Sequence, residues 1–489
     1  MNSRIVLATI NARFQHAAFG LRYLYANLGA LREMTQIQEW SLGVRERDVV
    51  EQLVALEPEI IGFSVYIWNV DEITRVVQML KRLSPQTVVV VGGPEVSFEW
   101  EETPLFDEAD YLVRGEGEVA FAKLCGEVLA GRRPAEKVFG GGLPELSELR
   151  WPYPHYSDFD LKHGRIVYVE ASRGCPFQCH FCLSSLDKQV RAFPLDEFLE
   201  QMELLMSRGV LRFKFVDRTF NLKQATSNRI LSFFLERYRE GMFLHFEMIP
   251  DRLPEELRPV IAAFPPGVLQ FEVGIQSFNP EVCARIGRRQ KFEAIEQNLR
   301  FLAEETGVHV HADLIAGLPG EDLESFGAGF DRLHALGVSE IQLGILKRLR
   351  GTPITTAGEE WGMVYSPQAP YEVLRTAHLS FQELQGLQRF SRYWDLVVNS
   401  GRFRALSGAL LSGDSVFGEF QKFSEWLWDE TRETAGISVK RLGRFLVRYL
   451  VEFQGVASEE AGGLLERDRQ AARRISSELP DRQARHADV

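Results

Sequence analysis

Cys175-Pro176-Phe177-Gln178-Cys179-His180-Phe181-Cys182 follows directly on an apolar, strand-like segment at 166–170. Its C-x3-C-x2-C spacing decides how the rest of the chain is read. Three thiolates on one short loop can each hold one iron of a 4Fe–4S cluster, leaving the fourth iron open as a reaction site. The alternative is a structural zinc site with His180 or a distant residue as fourth ligand. His180 directly follows Cys179, which makes joint ligation awkward, and no second C-x2-C pair exists. The other two of the five cysteines, Cys125 and Cys283, stand alone. An odd count with three so close together argues against a disulfide framework and for thiolates in a reducing, cytoplasmic compartment.

Outward from this loop, strand candidates at 166–170, 213–217, 244–248, 269–273, 309–315 and 340–346 alternate with helical segments. Parallel strands joined by crossover helices predict a partial (β/α)6 barrel over 163–369. Upstream, apolar strands at 5–10, 37–41, 60–65, 87–91 and 111–113 are again separated by helices. They predict a doubly wound, Rossmann-like sheet over 1–135, with ligands in the loops at its carboxyl ends. The Gly- and Pro-rich 136–162 reads as a linker. Residues 370–455 read as a helical cap, and 456–489 as a charged, partly disordered tail. The fold class is α/β with a C-terminal helical domain.

The 489 residues allow about three domains. With 56 Lys+Arg against 68 Asp+Glu the net charge is −12, which speaks against a chain that coats nucleic-acid backbones. No apolar run reaches the roughly 18–20 residues of a membrane span, and Met1 leads into a strand rather than a signal peptide. The expected partner is a small-molecule substrate in the cytoplasm, with no nucleic acid and no membrane.

At Cys175, Cys179 and Cys182 the sequence resembles the radical S-adenosylmethionine (SAM) superfamily. The resemblance implies that the open iron chelates SAM, whose reductive cleavage yields a 5′-deoxyadenosyl radical, with electrons from an external donor such as a flavodoxin or ferredoxin. It implies adenine packing at Phe181 and SAM contacts at Asp217, Glu272, Gln276, Ile315, Gly317 and Leu318, all at strand ends. The first 135 residues resemble the cobalamin-binding domain found ahead of many such barrels. By that resemblance the cobalamin contacts are Asn11, Gln15, His16, Ser64, Val65, Tyr66, Trp68, Gly92, Gly93, Pro94, Glu95, Gly115, Glu116 and Glu118. The chain departs from one cobalamin pattern, since no Asp-x-His-x-x-Gly motif is present. The lower face of cobalt is therefore expected to carry no histidine, with Tyr66, Trp68 or Asn69 below the corrin.

The implied activity is a cobalamin-dependent radical SAM reaction, foremost methylation of an unactivated carbon, with rearrangement or cyclisation as the alternative. A tRNA methylthiotransferase would need three cysteines in the N-terminal domain, which offers only Cys125. A non-catalytic cobalamin or SAM sensor has no need of the intact cysteine triplet. Several residues also have plain structural readings. Asp217 suits a cap, Gly317-Leu318-Pro319-Gly320 a turn, and Glu272 an ion pair with Arg212. The cap's aromatics (Phe381, Phe390, Tyr393, Trp394, Phe403, Phe417, Phe420, Trp426, Trp428) suit either a lid over substrate or a helical core. Lys347, Arg348 and Arg350 could hold a carboxylate or phosphate, or be solvated.

Overall fold

Ile5–Asn11 is buried at every position, as befits a strand covered by helices on both faces. It is β1 of a six-stranded parallel sheet in the computed structural model, which describes residues 3–140, 142–356 and 358–478. The other strands are β2 (Thr35–Ser41), β3 (Ile60–Ser64), β4 (Val88–Gly92), β5 (Tyr111–Arg114) and β6 (Val138–Gly140), in the order 2-1-3-4-5-6. Strand order reverses at β1, so a crevice opens at the carboxyl ends of β1 and β3. The short β6 lies in the segment read as a linker, where three residues are too few to show a strand periodicity.

After β7 (Val167–Val169), a ribbon of β8 (Ser172–Arg173) and β9 (Arg191–Ala192) carries the cysteine loop between its strands. β10 (Arg212–Phe215), β11 (Phe243–Met248), β12 (Leu269–Gln276), β13 (His309–Ala316) and β14 (Glu340–Ile345) then extend β7 into a second parallel sheet. Its order, 14-13-12-11-10-7, makes an open six-stranded barrel wall. Alternate residues of each strand face opposite ways. Phe213, Phe215, Leu244, Phe246, Phe271, Val310, Ile341 and their like are buried in the main apolar core. Lys214, His245, Glu272, His311 and Gln342 line the interior cavity instead.

A buried quartet joins the two sheets. Arg22 lies 2.8 Å from Glu39 and 2.9 Å from Asp160, and Arg165 lies 3.0 Å from Glu39 and 2.8 Å from Asp160. All four side chains are at most 8% exposed. The Ile166 N–H donates to the Gln15 carbonyl at 2.8 Å, so the first barrel strand is tied to the loop after β1.

The helical domain packs beside the barrel. Phe390, Trp394 and Phe417 surround Phe330 of the barrel helix Leu323–His334 with ring centroids 4.8–5.8 Å apart. Tyr393, Phe403 and Phe420 are buried in the same core, Trp426 and Trp428 are half-buried against it, and Phe381 is 46% exposed. None of these rings lines the cavity beside the cysteine loop, and most of them form a packing core. Ser458–Glu478, read as a charged tail, is a helix. Ala461 and Leu464 are buried, and Asp468 accepts from the Ala405 and Leu406 N–H groups at 2.8 and 3.1 Å. The expected disordered end, 479–489, lies outside the described residues. Among the described residues no helix is long and apolar enough to cross a membrane.

Candidate functional site

The cysteine loop is pinned at both ends and in its middle. The Cys175 N–H donates to Asp187, the His180 N–H to Ile286 and the Ile354 N–H to the His180 carbonyl, each at 2.9 Å. Gly287 (φ +71°) seats the loop, because a Cβ there would lie 2.5 Å from the Gln178 carbonyl. Burial pushes the Cys175 and Cys179 thiols upward, and the charges of neighbouring thiols add to this, so the three lie within electrostatic reach. Arg288 opposes the shift at Cys179, with Nη1 3.9 Å from its Sγ. Among the described residues no trio of His, Cys, Asp or Glu is gathered round a single ion position. A one-loop set of three thiolates beside guanidinium groups fits an anionic iron–sulfur cluster, whose ligands bind separate irons.

Beside this loop a cavity of about 700 Å³ opens between the carboxyl ends of the two sheets. From the first sheet it is lined by Asn11, His16, Ser64, Tyr66, Trp68, Gly92, Gly93, Gly115, Glu116 and Glu118. The Tyr66 and Trp68 rings stack 4.3 Å apart at 7°, presenting a flat wall. The remaining expected cobalamin contacts lie off the wall. Gln15 gives its carbonyl to Ile166, Val65 is fully buried and Pro94 stands behind Gly93. Glu95 pairs with Arg350 at 2.9 Å, a partner 255 positions away that no local pattern could supply. Arg348 is likewise taken by Glu99 at 2.8 Å, so neither arginine is left for a substrate anion. Asn69 is fully buried and donates to the Ile10 carbonyl at 2.9 Å, which removes it from beneath a corrin.

From the barrel the same cavity is lined by Tyr168, Glu170, Arg173, Lys214, Arg218 and Glu247, of which only Arg218 lies in a motif segment, beside Asp217. The signal was the strand alternation, which turns Lys214 and Glu247 inward. Arg173 of β8 binds Glu116, Glu118 and Glu170 at 2.7–2.9 Å, locking the cysteine ribbon to the 114–118 loop. Glu118 Oε2 remains buried on the wall without a hydrogen-bond partner. A flat, aromatic-walled space with an orphaned acceptor fits a large planar cofactor carrying amide side arms.

Gly93 has φ +111°, and a Cβ there would lie 2.5 Å from the Val65 carbonyl oxygen. Gly93→Ala is expected to cost about 1–3 kcal/mol in urea unfolding and to lower cobalamin retention.

The expected SAM contacts divide. Gln276, at a bulge in β12, has φ +70° and a buried Oε1 with no partner. Arg288 donates to the Gly274 carbonyl at 2.6 Å, so this bulge and Cys179 share one guanidinium. Phe181 is half-buried against the core. Asp217 instead accepts from the Ala171 N–H at 2.9 Å and the Ser172 hydroxyl at 2.6 Å, anchoring the turn after β7. Burial outweighs these donors and pushes Asp217 up to about 7. Glu272 lies in the barrel interior 3.1 Å from His245, its expected partner Arg212 being on the rim. Burial pushes Glu272 up, but His245 holds it down at about 2. Ile315 is half-buried, Leu318 is fully buried, and Gly317 (φ +89°) turns beneath Val373.

Comparison with known proteins adds three matches along the chain. Residues 5–125 match the B12 binding domain, 169–333 the radical SAM superfamily, and 359–481 a family described as a protein of unknown function, DUF4080. An uncharacterised methyltransferase of Pyrococcus horikoshii is 25% identical over 68% of this chain and 76% of its own length. The cobalamin-dependent radical SAM methyltransferase TokK of Streptomyces tokunonensis is 26% identical over 65% of this chain. This chain spans only 51% of TokK. The solved structure of the cobalamin-dependent SAM radical enzyme OxsB shares the fold over 97% of this chain and 80% of its own, at a TM-score of 0.59 and 14% identity.

Proposed function

We propose, from the matches to the B12 binding domain and the radical SAM superfamily, that this chain is a cobalamin-dependent methyltransferase acting on an unactivated carbon of a small molecule. One observation carries the reading: a single cavity is walled by the carboxyl ends of both sheets, with Arg173 of the ribbon that carries the cysteine loop on its wall. When bound, SAM on a 4Fe–4S cluster supplies hydrogen-atom abstraction, and cobalamin supplies the transferable methyl group. Cys175, Cys179 and Cys182 would hold the cluster, and Arg288 would offset its negative charge. Gln276 would offer its unpartnered Oε1 to the SAM ammonium or ribose. The Tyr66–Trp68 stack and the glycines at 92, 93 and 115 would cradle the corrin. The Arg173 network ties the two domains together at the seam of the cavity, where partial burial strengthens its ion pairs.

Anaerobic protein reconstituted with iron, sulfide and cobalamin, then reduced, is expected to release 5′-deoxyadenosine from methyl-labelled SAM and to transfer label to cobalamin. Absence of both products would overturn the proposal. Nucleoside release without label transfer would favour the rearrangement or cyclisation reading.

His16 Nδ1 is hydrogen-bonded to the Tyr168 hydroxyl, and its carbonyl is held by Arg165. The absence of an Asp-x-His-x-x-Gly motif supports a lower cobalt face without a histidine ligand. Protein loaded with cob(II)alamin is expected to show no protein-nitrogen hyperfine splitting in its EPR spectrum; such a splitting would refute the assignment.

A further inference from the structure

A second cavity, about 1540 Å³, lies at the opposite end of the barrel. Its walls are the amino-terminal ends of β10–β14, and its floor is the helical domain. A filled barrel stacks bulky branched side chains inside. Here the inward register holds Lys214, His245, Gln270, Glu272, His311 and Gln342. A polar lumen is costly unless it meets polar partners. Part of the cost is met internally, since Glu272 sits 3.1 Å from His245, and Glu340 lies 3.1 Å from His309 and 3.4 Å from His311. His245 remains only 4% exposed, with Nε2 out of line for any hydrogen bond.

The rim differs in sign from this balanced interior. Arg212, Arg402, Arg404, Lys440 and Arg473 converge on it, and none has a carboxylate within ion-pair distance among the described residues. Arg469 is the exception, 3.7 Å from Glu466. In a chain of net charge −12, so many unpaired cations around one opening are a built feature rather than an average surface. All but Arg212 come from the region matched only by the family of unknown function. Lys214 lines both this cavity and the one beside the cysteine loop, and so marks where the two approach each other.

We propose that the helical domain is the anion-binding half of a substrate port on the barrel floor. The substrate would be a small molecule, polar along its length, that leaves a phosphate or carboxylate on the arginine rim. Its other end would reach up the lumen past Glu272 and His311 toward Lys214. The proposal deepens the methyltransferase reading, because it names the substrate class for that site.

The test uses full-length protein and three probes at matched ionic strength: inorganic phosphate, pyrophosphate and citrate, titrated by calorimetry. Saturable binding of at least one probe is expected, weakened at least tenfold in Arg402→Gln/Arg404→Gln. The preferred probe distinguishes a phosphate-bearing from a carboxylate-bearing ligand. Cys179→Ala should bind the probe as wild type does, while releasing no 5′-deoxyadenosine. Failure of the wild type to cleave SAM, with anion binding intact, would count against the enzymatic reading alone. Binding no stronger than that of matched sodium chloride, or unchanged in the double variant, would overturn the port.

Discussion

Cys179→Ala is expected to reduce 5′-deoxyadenosine release to the level of protein-free controls and to deplete iron in the reconstituted protein. A cluster with three protein ligands has none to spare, and Cys179 is the proposed ligand that Arg288 contacts. The residue is only half-buried, and the loop is held by backbone bonds of its neighbours, so the fold should survive. Circular dichroism and the melting temperature should therefore match wild type. Cys125→Ala is the control. Its thiol is fully buried in the helix Glu118–Leu129, pushed up to about 12 by burial, and should matter to neither iron nor turnover. Retention of full iron and turnover in Cys179→Ala would refute the cluster assignment.

Asp160→Ala is expected to destabilise the protein by about 3–5 kcal/mol in urea unfolding at neutral pH. The substitution leaves Arg22 and Arg165 sharing Glu39 alone in a buried site. It also removes the side chain that completes the capping box with Ser157. The pH dependence is a separate signature. Burial pushes Asp160 up, but Arg22 and then Arg165 hold it down at about 2. Its folded value is thus below its unfolded one, so its contribution is complete above about pH 4 and is lost as pH falls through about 2. Asp160→Ala should flatten that acid limb. A loss under about 1 kcal/mol would mean that the quartet is loosely held.

The cysteine loop, both parallel sheets and the six barrel strands were legible because each rests on local pattern: spacing within eight residues, or apolar runs between helices. Most of the first sheet's expected cavity wall was legible for the same reason, since β-strand ends can be counted. What could not be read depends on partners far along the chain. Asp217 looks like a ligand until the turn at Ala171 and Ser172 claims it. Glu95 and Arg350 meet only once two domains have docked. The helix at 458–478 has few apolar residues, and it is ordered by burying Ala461, Leu464 and Asp468 against its neighbours.

The alternation along β10–β14 has a further implication. Each strand carries two interleaved messages, one addressed to the helices outside and one to whatever occupies the bore. Neighbouring positions of β11 and β13 differ in meaning: Phe246 and Val310 are addressed to the helices, His245 and His311 to the bore. Because neighbours along the chain do not share an audience, the bore can be rewritten residue by residue with little loss to the framework. Such a scaffold can change its clientele while keeping its chemistry, and the inward letters are where that history would be recorded.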